Sequence, residues 1–226
     1  MTSSPQLVLA MLADARLPTG SHAHSAGLEP AVMAGLSDQG RRLDEIPAFA
    51  RSRLRTVTAT EAGTAVVTRH QWLAGGSLSG VEDAWAARTP SAAVRAATRQ
   101  LGRGYLRLAY GLWPEEMAAA FERGAVPPRP LVLGVIGAVT GLSSRQVAQL
   151  VGYDDVQTTA SAALKLVPLD PIEAMRWVLQ LHPDIDAMAD DVERLTEPAE
   201  IPASGAPLLD EHAERHAVTT RRLFSA

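Results

Sequence analysis

Leu17-Pro18-Thr19-Gly20-Ser21-His22-Ala23-His24-Ser25-Ala26-Gly27-Leu28-Glu29 is the stretch that decides how this chain is read. Pro18 stiffens the backbone after an apolar run, and Gly20 lets it turn. Ser21 is placed to cap a helix that follows. Gly27 falls where that helix presents a side chain. Glycine inside a helix costs about 1 kcal/mol against alanine, so its use there predicts a second backbone packed close by. The stretch therefore predicts a turn leading into a tightly packed helix.

Outward from it the apolar spacing stays helical. Leu7, Met11 and Leu12 mark one helix; Leu28, Val32 and Leu36 stand at i, i+4 and i+8 in the next. Ile46, Phe49, Ala50, Leu54 and Val57 continue the period in a longer segment with Pro47 in its first turn. Val94, Ala97, Leu101, Tyr105 and Leu108 repeat it further on. Ser143 with Gln146 reads as a capping box, and Asp170-Pro171 with Glu173 as a capped helix start. No alternating strand pattern is present. The expectation is an all-α fold: a single-domain bundle of about eight to ten short helices over residues 1–196. Residues 197–207 hold three prolines and a glycine and read as a linker; residues 208–226 read as a mobile, charged tail.

The 226 residues are 46% hydrophobic, enough for one sizeable core, and carry a net charge of -4. A pI near 5.9 makes nucleic acid a poor partner. Absence of cysteine excludes disulfides, thiolate metal sites and a cysteine nucleophile, and fits a cytoplasmic address. Met1 to Leu12 lacks a basic leader, so a signal peptide is not expected. The apolar run from Leu131 to Leu142 is too short for the ~20 residues of a membrane span.

Candidate chemistry is sparse. His22 and His24, two apart, point to opposite sides of a helix, while His212 and His216 share a face. Both pairs are weak candidates for a metal such as nickel, set against packed or solvated histidines. Gly134, Gly137 and Gly141 interrupt an apolar run, follow no strand and precede no basic residue, so they predict close helix packing rather than a nucleotide loop. Asp154-Asp155 and Asp190-Asp191 read as solvated faces or caps. No nucleophile elbow or phosphate loop is present, and the chain reads as a non-enzyme needing no cofactor.

Four separated motifs resemble the urease accessory protein UreF family. The first is Leu17-Pro18-x-Gly20 with Ser25-x-Gly27-Leu28-Glu29, which departs from the family at His22 and Ala26. The second is Pro130-Leu131-Val132-Leu133-Gly134 with Gly141-Leu142. The third, Ala162 to Leu169, has Lys165 in place of the usual arginine and is followed by Asp170 in place of glycine. The last comprises Glu214-Arg215-His216 and the ending Arg222-Leu223-Phe224-Ser225. The resemblance implies an all-helical, dimeric adaptor bridging a UreD/UreH-type protein and a UreG-type GTPase. It also implies GTP-dependent delivery of nickel to apo-urease. Pro18, Gly20, Ser25, Gly27, Leu28, Glu29, Gly134 and Lys165 become structural motif positions. Arg221, Arg222, Leu223, Phe224 and Ser225 become partner contacts on the tail, where apolar anchors beside arginines suit recognition by another chain. The rival readings are a nickel-binding metallochaperone using the histidines, and a divergent helical interaction protein.

Overall fold

The computed structural model describes residues 4–220 and 222–224. The described residues form α-helices and short 3₁₀ turns, with no strand. In chain order the helices are α1 (Pro5–Leu12), α2 (Leu28–Met33), α3 (Glu45–Leu54), α4 (Val57–Leu73), α5 (Ser79–Ala87) and α6 (Ala92–Leu112). They continue with α7 (Pro114–Ala120), α8 (Arg129–Val139), α9 (Ser144–Leu166), α10 (Pro171–Gln180), α11 (His182–Val192) and α12 (Pro207–Ala217). The fold is all-α, as the spacing predicts.

Helices α4, α8 and α9 make the centre. Nearly every residue of α8 from Arg129 to Gly137 is buried, so it is apolar all round rather than striped. Its glycines permit the approach. A Cβ on Gly134 would lie 2.5 Å from both the Ala65 carbonyl oxygen and the Thr68 side chain, and one on Gly137 would run into Val147. The close-packing expectation is met at Gly134 and Gly137; at Gly141 a Cβ would meet only Pro5, at an ordinary 3.7 Å, and the position instead has φ +73°. Four threonines of α4, Thr58, Thr60, Thr64 and Thr68, lie buried. The hydroxyls of Thr64 and Thr68 each donate to the carbonyl one turn back, at 2.7 Å, so these polar groups enter the core satisfied. Around this centre α6 and α11 pack outward, and Leu131, Ile136, Val151 and Leu181 are fully or almost fully enclosed. Each such side chain contributes about 1.5–3 kcal/mol by leaving water.

Two expected segments are broken. The period through Leu28, Val32 and Leu36 spans α2 and a separate 3₁₀ turn, Leu36–Gly40, because Gly35 adopts φ +108° between them. The long segment from Ile46 to Val57 divides into α3 and α4 at Arg55 and Thr56, where Thr56 leaves helical geometry. The later starts follow expectation: Ser143 and Gln146 form the reciprocal capping box, and Asp170 accepts from the Ile172 amide at 2.8 Å. Glu173 does not reach back; it pairs with Arg176 at 3.0 Å.

A second apolar cluster sits to one side: Leu28, Ile46, Phe49, Ala162, Ala163, Val167, Trp177 and Phe224. Phe224 belongs to the segment read as a mobile tail, which is instead seated on the body, with α12 against α6 and α2. The segment read as a linker is pinned as well. Arg88 donates to the carbonyls of Ile201 and Ala199, at 2.7 and 2.9 Å. Thr60 donates to the Pro202 carbonyl at 3.0 Å, and Ile201 is buried. Proline-rich composition removes helix there but does not prevent neighbouring side chains from holding the carbonyls.

Candidate functional site

The Leu17–Glu29 stretch folds as a turn laid on α6. Arg107 donates to the Pro18 carbonyl at 3.1 Å, and Gly104 is the position where any Cβ would strike the Thr19 backbone. Ser21 does not cap a helix. It opens a 3₁₀ turn, Ser21–Ala23, and its hydroxyl lies 2.8 Å from that of Thr19. Both hydroxyls also bond Tyr105 of α6. Gly20 enters the turn at φ +85°.

Gly27 corrects the sequence reading. It is not inside a helix against another backbone; it is the cap residue of α2, at φ +75°. A Cβ there would meet only side chains at ordinary distances, Arg53 at 3.6 Å and Phe49 at 4.0 Å. The position demands glycine because of its backbone angle. Ser25 is fully buried, and its hydroxyl accepts from the Glu29 amide at 3.3 Å. His22 is exposed while His24 is buried. Burial, then the charges of Arg129 and His22, push the His24 imidazole down to about 4, so it is neutral at pH 7.

Beneath this turn lies a cavity of about 330 Å³. Its walls come from the N-terminal stretch, the ends of α3 and α4, α6, α8, α9 and α12. Its floor is a set of buried charges. Arg129 of α8 donates to Asp154 at 2.6 Å and to Glu61, which also accepts from Thr98 at 2.9 Å. Arg53 makes a two-pronged contact with Asp155, at 3.0 and 2.6 Å. The paired aspartates thus are not a solvated face. A lone carboxylate would not survive such burial, and an i, i+1 pair on a helix gives no sign in sequence that arginines 25 and 102 residues away will meet it. Burial raises the Asp154 carboxyl more than Arg129 lowers it. For Asp155 burial also raises, but the charge and hydrogen bonds of Arg53, then Arg129, outweigh it and hold the carboxyl low. Glu61, Arg129 and Arg53 were not singled out in the sequence; each sits in an ordinary helical period without a motif.

The C-terminal segment roofs the cavity, and the two ends of the chain meet at Glu29. Glu29 is buried in α2. One carboxylate oxygen accepts the Leu223 amide at 2.6 Å; the other accepts the Phe224 amide at 2.9 Å and lies 2.9 Å from His216 Nε2. Lys165 places its ammonium 5.0 Å from the centre of the Phe224 ring, a cation–π contact. Glu214 anchors the other side of α12, accepting from the Ser91 hydroxyl and the Ala93 amide at 2.7 and 2.9 Å. Leu28, Glu29, Lys165, Leu223 and Phe224 are therefore gathered in one place; Pro18 and Gly20 lie on α6, and Gly134 in the core. Arg221 and Ser225 lie outside the described residues. His212 and His216 do not act as a pair, since Glu29 takes His216. Among the described residues no group of three or more His, Asp or Glu side chains is placed to hold a metal ion.

Residues 41–182 match the family model described as UreF. The chain belongs to the UreF family. It is similar along nearly its whole length to proteins named urease accessory protein UreF. That of Mycobacterium sp. strain JLS is 37% identical over 218 residues, covering 96% of this chain and 97% of the relative. That of Mycobacterium marinum is 36% identical over 224 residues, covering 97% and 98%. That of Mycobacterium tuberculosis H37Ra is 36% identical over 217 residues, covering 96% and 97%. The family model stops short of both termini, so the meeting of Glu29 with the tail lies outside its span. The family is one of accessory proteins by name, and no helix among the described residues is long and apolar enough to cross a membrane.

Proposed function

We propose that this chain is a non-catalytic adaptor of urease maturation. It bridges a UreD/UreH-type accessory protein and a UreG-type GTPase as a cytoplasmic homodimer, and supports GTP-dependent nickel insertion into apo-urease. Family membership gives the general role. The observation that carries the adaptor reading is the seated C-terminal segment: its last described residues are bound through backbone amides and one buried ring, with Leu223 exposed and Arg222, also exposed, lining the cavity. A chain that holds its end in one pose while exposing apolar and cationic side chains is built for recognition. The buried charges of the cavity are paired with one another, Arg129 with Glu61 and Asp154 and Arg53 with Asp155. Nickel in this reading is cargo. The metallochaperone alternative draws no support from the histidines, because His24 is enclosed and His216 is taken by Glu29.

Co-purification of the tagged chain with the UreD-type protein and the UreG-type GTPase tests the reading. A complex containing all three is expected. A chain that captures neither partner, or that instead binds nickel tightly by itself, would overturn it.

A further inference from the structure

We propose that the cavity beneath the Leu17–Glu29 turn is a binding site for a small organic carboxylate, an anionic head on a compact apolar body. At about 330 Å³ the cavity falls in the ~300–1,000 Å³ range of small-molecule sites. Its lining divides by chemistry. Val57 of α4, Val94, Ala97 and Leu101 of α6, and Leu209 and Ala213 of α12 are apolar, while Arg53, Arg129 and Arg222 supply cations. A ligand that suits both parts has an apolar body and a charged or polar head.

The sign of the head follows from which hydrogen-bonding groups are already used. The acceptors are largely taken. Both oxygens of Asp155 hold Arg53, and Glu61 gives one oxygen to Arg129 and the other to Thr98. Asp154 engages Arg129 through one oxygen, and its burial favours the uncharged carboxyl. Donors are left over. Arg53 spends Nε and Nη2 on Asp155, and among the described residues nothing accepts from its Nη1. That nitrogen lies 3.6 Å from where a Cβ would stand on Gly27, itself a lining residue. The Arg129 side chain is 8% exposed, and its Nε is buried without an acceptor. Arg222 lines the cavity yet is exposed, which places it at the opening, and it forms no ion pair among the described residues. A buried donor without an acceptor is costly, and a carboxylate suits the guanidinium fork. Because Leu209, Ala213 and Arg222 belong to the seated C-terminal segment, a bound ligand would join that segment to α3, α6 and α8 and stabilise its seating by mass action.

The test uses the full chain and three probes of nearly one shape: benzoate, benzamide and benzamidine, an anion, a neutral molecule and a cation. Calorimetric titration should find one benzoate bound per chain, benzamide bound about tenfold more weakly or worse, the scale of one charged hydrogen bond, and benzamidine not bound. Bound benzoate should also slow amide hydrogen exchange in α12. Two variants locate the site. Arg222→Gln removes the cation at the opening and should weaken benzoate about tenfold. Ala97→Phe fills the apolar part and should abolish binding, with circular dichroism reporting whether each variant is folded. Benzamidine bound as tightly as benzoate would overturn the proposal, as would no binding of any probe at millimolar concentration. If a folded Ala97→Phe chain bound benzoate normally, the anion would sit on the surface and the cavity would not be its site. Should Ala97→Phe fail to fold, exchange in α12 decides the location: unchanged exchange with benzoate bound would place the anion elsewhere.

Discussion

Gly27 and Gly134 look alike in sequence and differ in physics. Gly27 is needed for its left-handed angle, so Gly27→Ala should cost about 1–2 kcal/mol through backbone strain, and Gly27→Asn less, because asparagine tolerates that region. Gly134→Ala should cost about 1–3 kcal/mol by overpacking, since its Cβ would meet the Ala65 carbonyl. Gly134→Asn should be worse still, the reverse order from Gly27. Urea unfolding of the four variants checks this. His24 gives a pH signature. Its native pKa is lowered from 6.5 to about 4, by burial first. Between those values the unfolded chain binds a proton that the folded chain refuses, so stability falls as pH drops from 6.5 toward 4. The full loss from this group is about 3 kcal/mol. A His24→Asn chain should show a shallower decline across that window, and an unaltered slope would contradict the assignment.

The helices are joined by charge as well as by apolar packing. Arg129 ties α8 to Glu61 on α4 and Asp154 on α9, while Arg53 ties α3 to Asp155 on α9. Removing one member leaves a buried carboxylate without its partner, so Arg129→Met should destabilise by about 3–5 kcal/mol. Arg129→Met combined with Glu61→Met should recover part of that loss, because the orphaned charge goes with it. Denaturant titrations of the single and double variants measure the coupling, and a double variant no more stable than the single would mean that Glu61 is not the charge that suffers. These ties were not legible in the sequence. Helical period, caps and breaks depend on neighbours within a turn or two, and they were read from residues such as Ser143, Gln146 and Asp170. An ion pair between residues 53 and 155 depends on where two helices cross, which no local pattern encodes.

At the scale of the whole molecule the C-terminal segment covers the cavity and the second apolar cluster. Phe224 is 3% exposed, so deleting residues 221–226 should lower stability by about 2 kcal/mol while the remaining chain stays helical. A mobile, unattached tail would give no loss at all, and calorimetry separates the two. The proposed homodimer is checked by light scattering, which should return about twice the 24.0 kDa chain mass. A monomer across micromolar concentrations would refute self-association of the chain alone.

What the sequence by itself determined was local or compositional. The helical period made the fold all-α, the glycine and proline punctuation marked the turns, and four spaced motifs carried the family. Tertiary structure decided the use of those parts. It turned Gly27 from a packing glycine into a cap, buried Asp154 and Asp155, and brought Glu29 to residues 223 and 224, 194 and 195 positions away. Amides at the chain's end carry no side-chain signal, so their acceptor could be found only where the folded chain delivers a buried carboxylate to them.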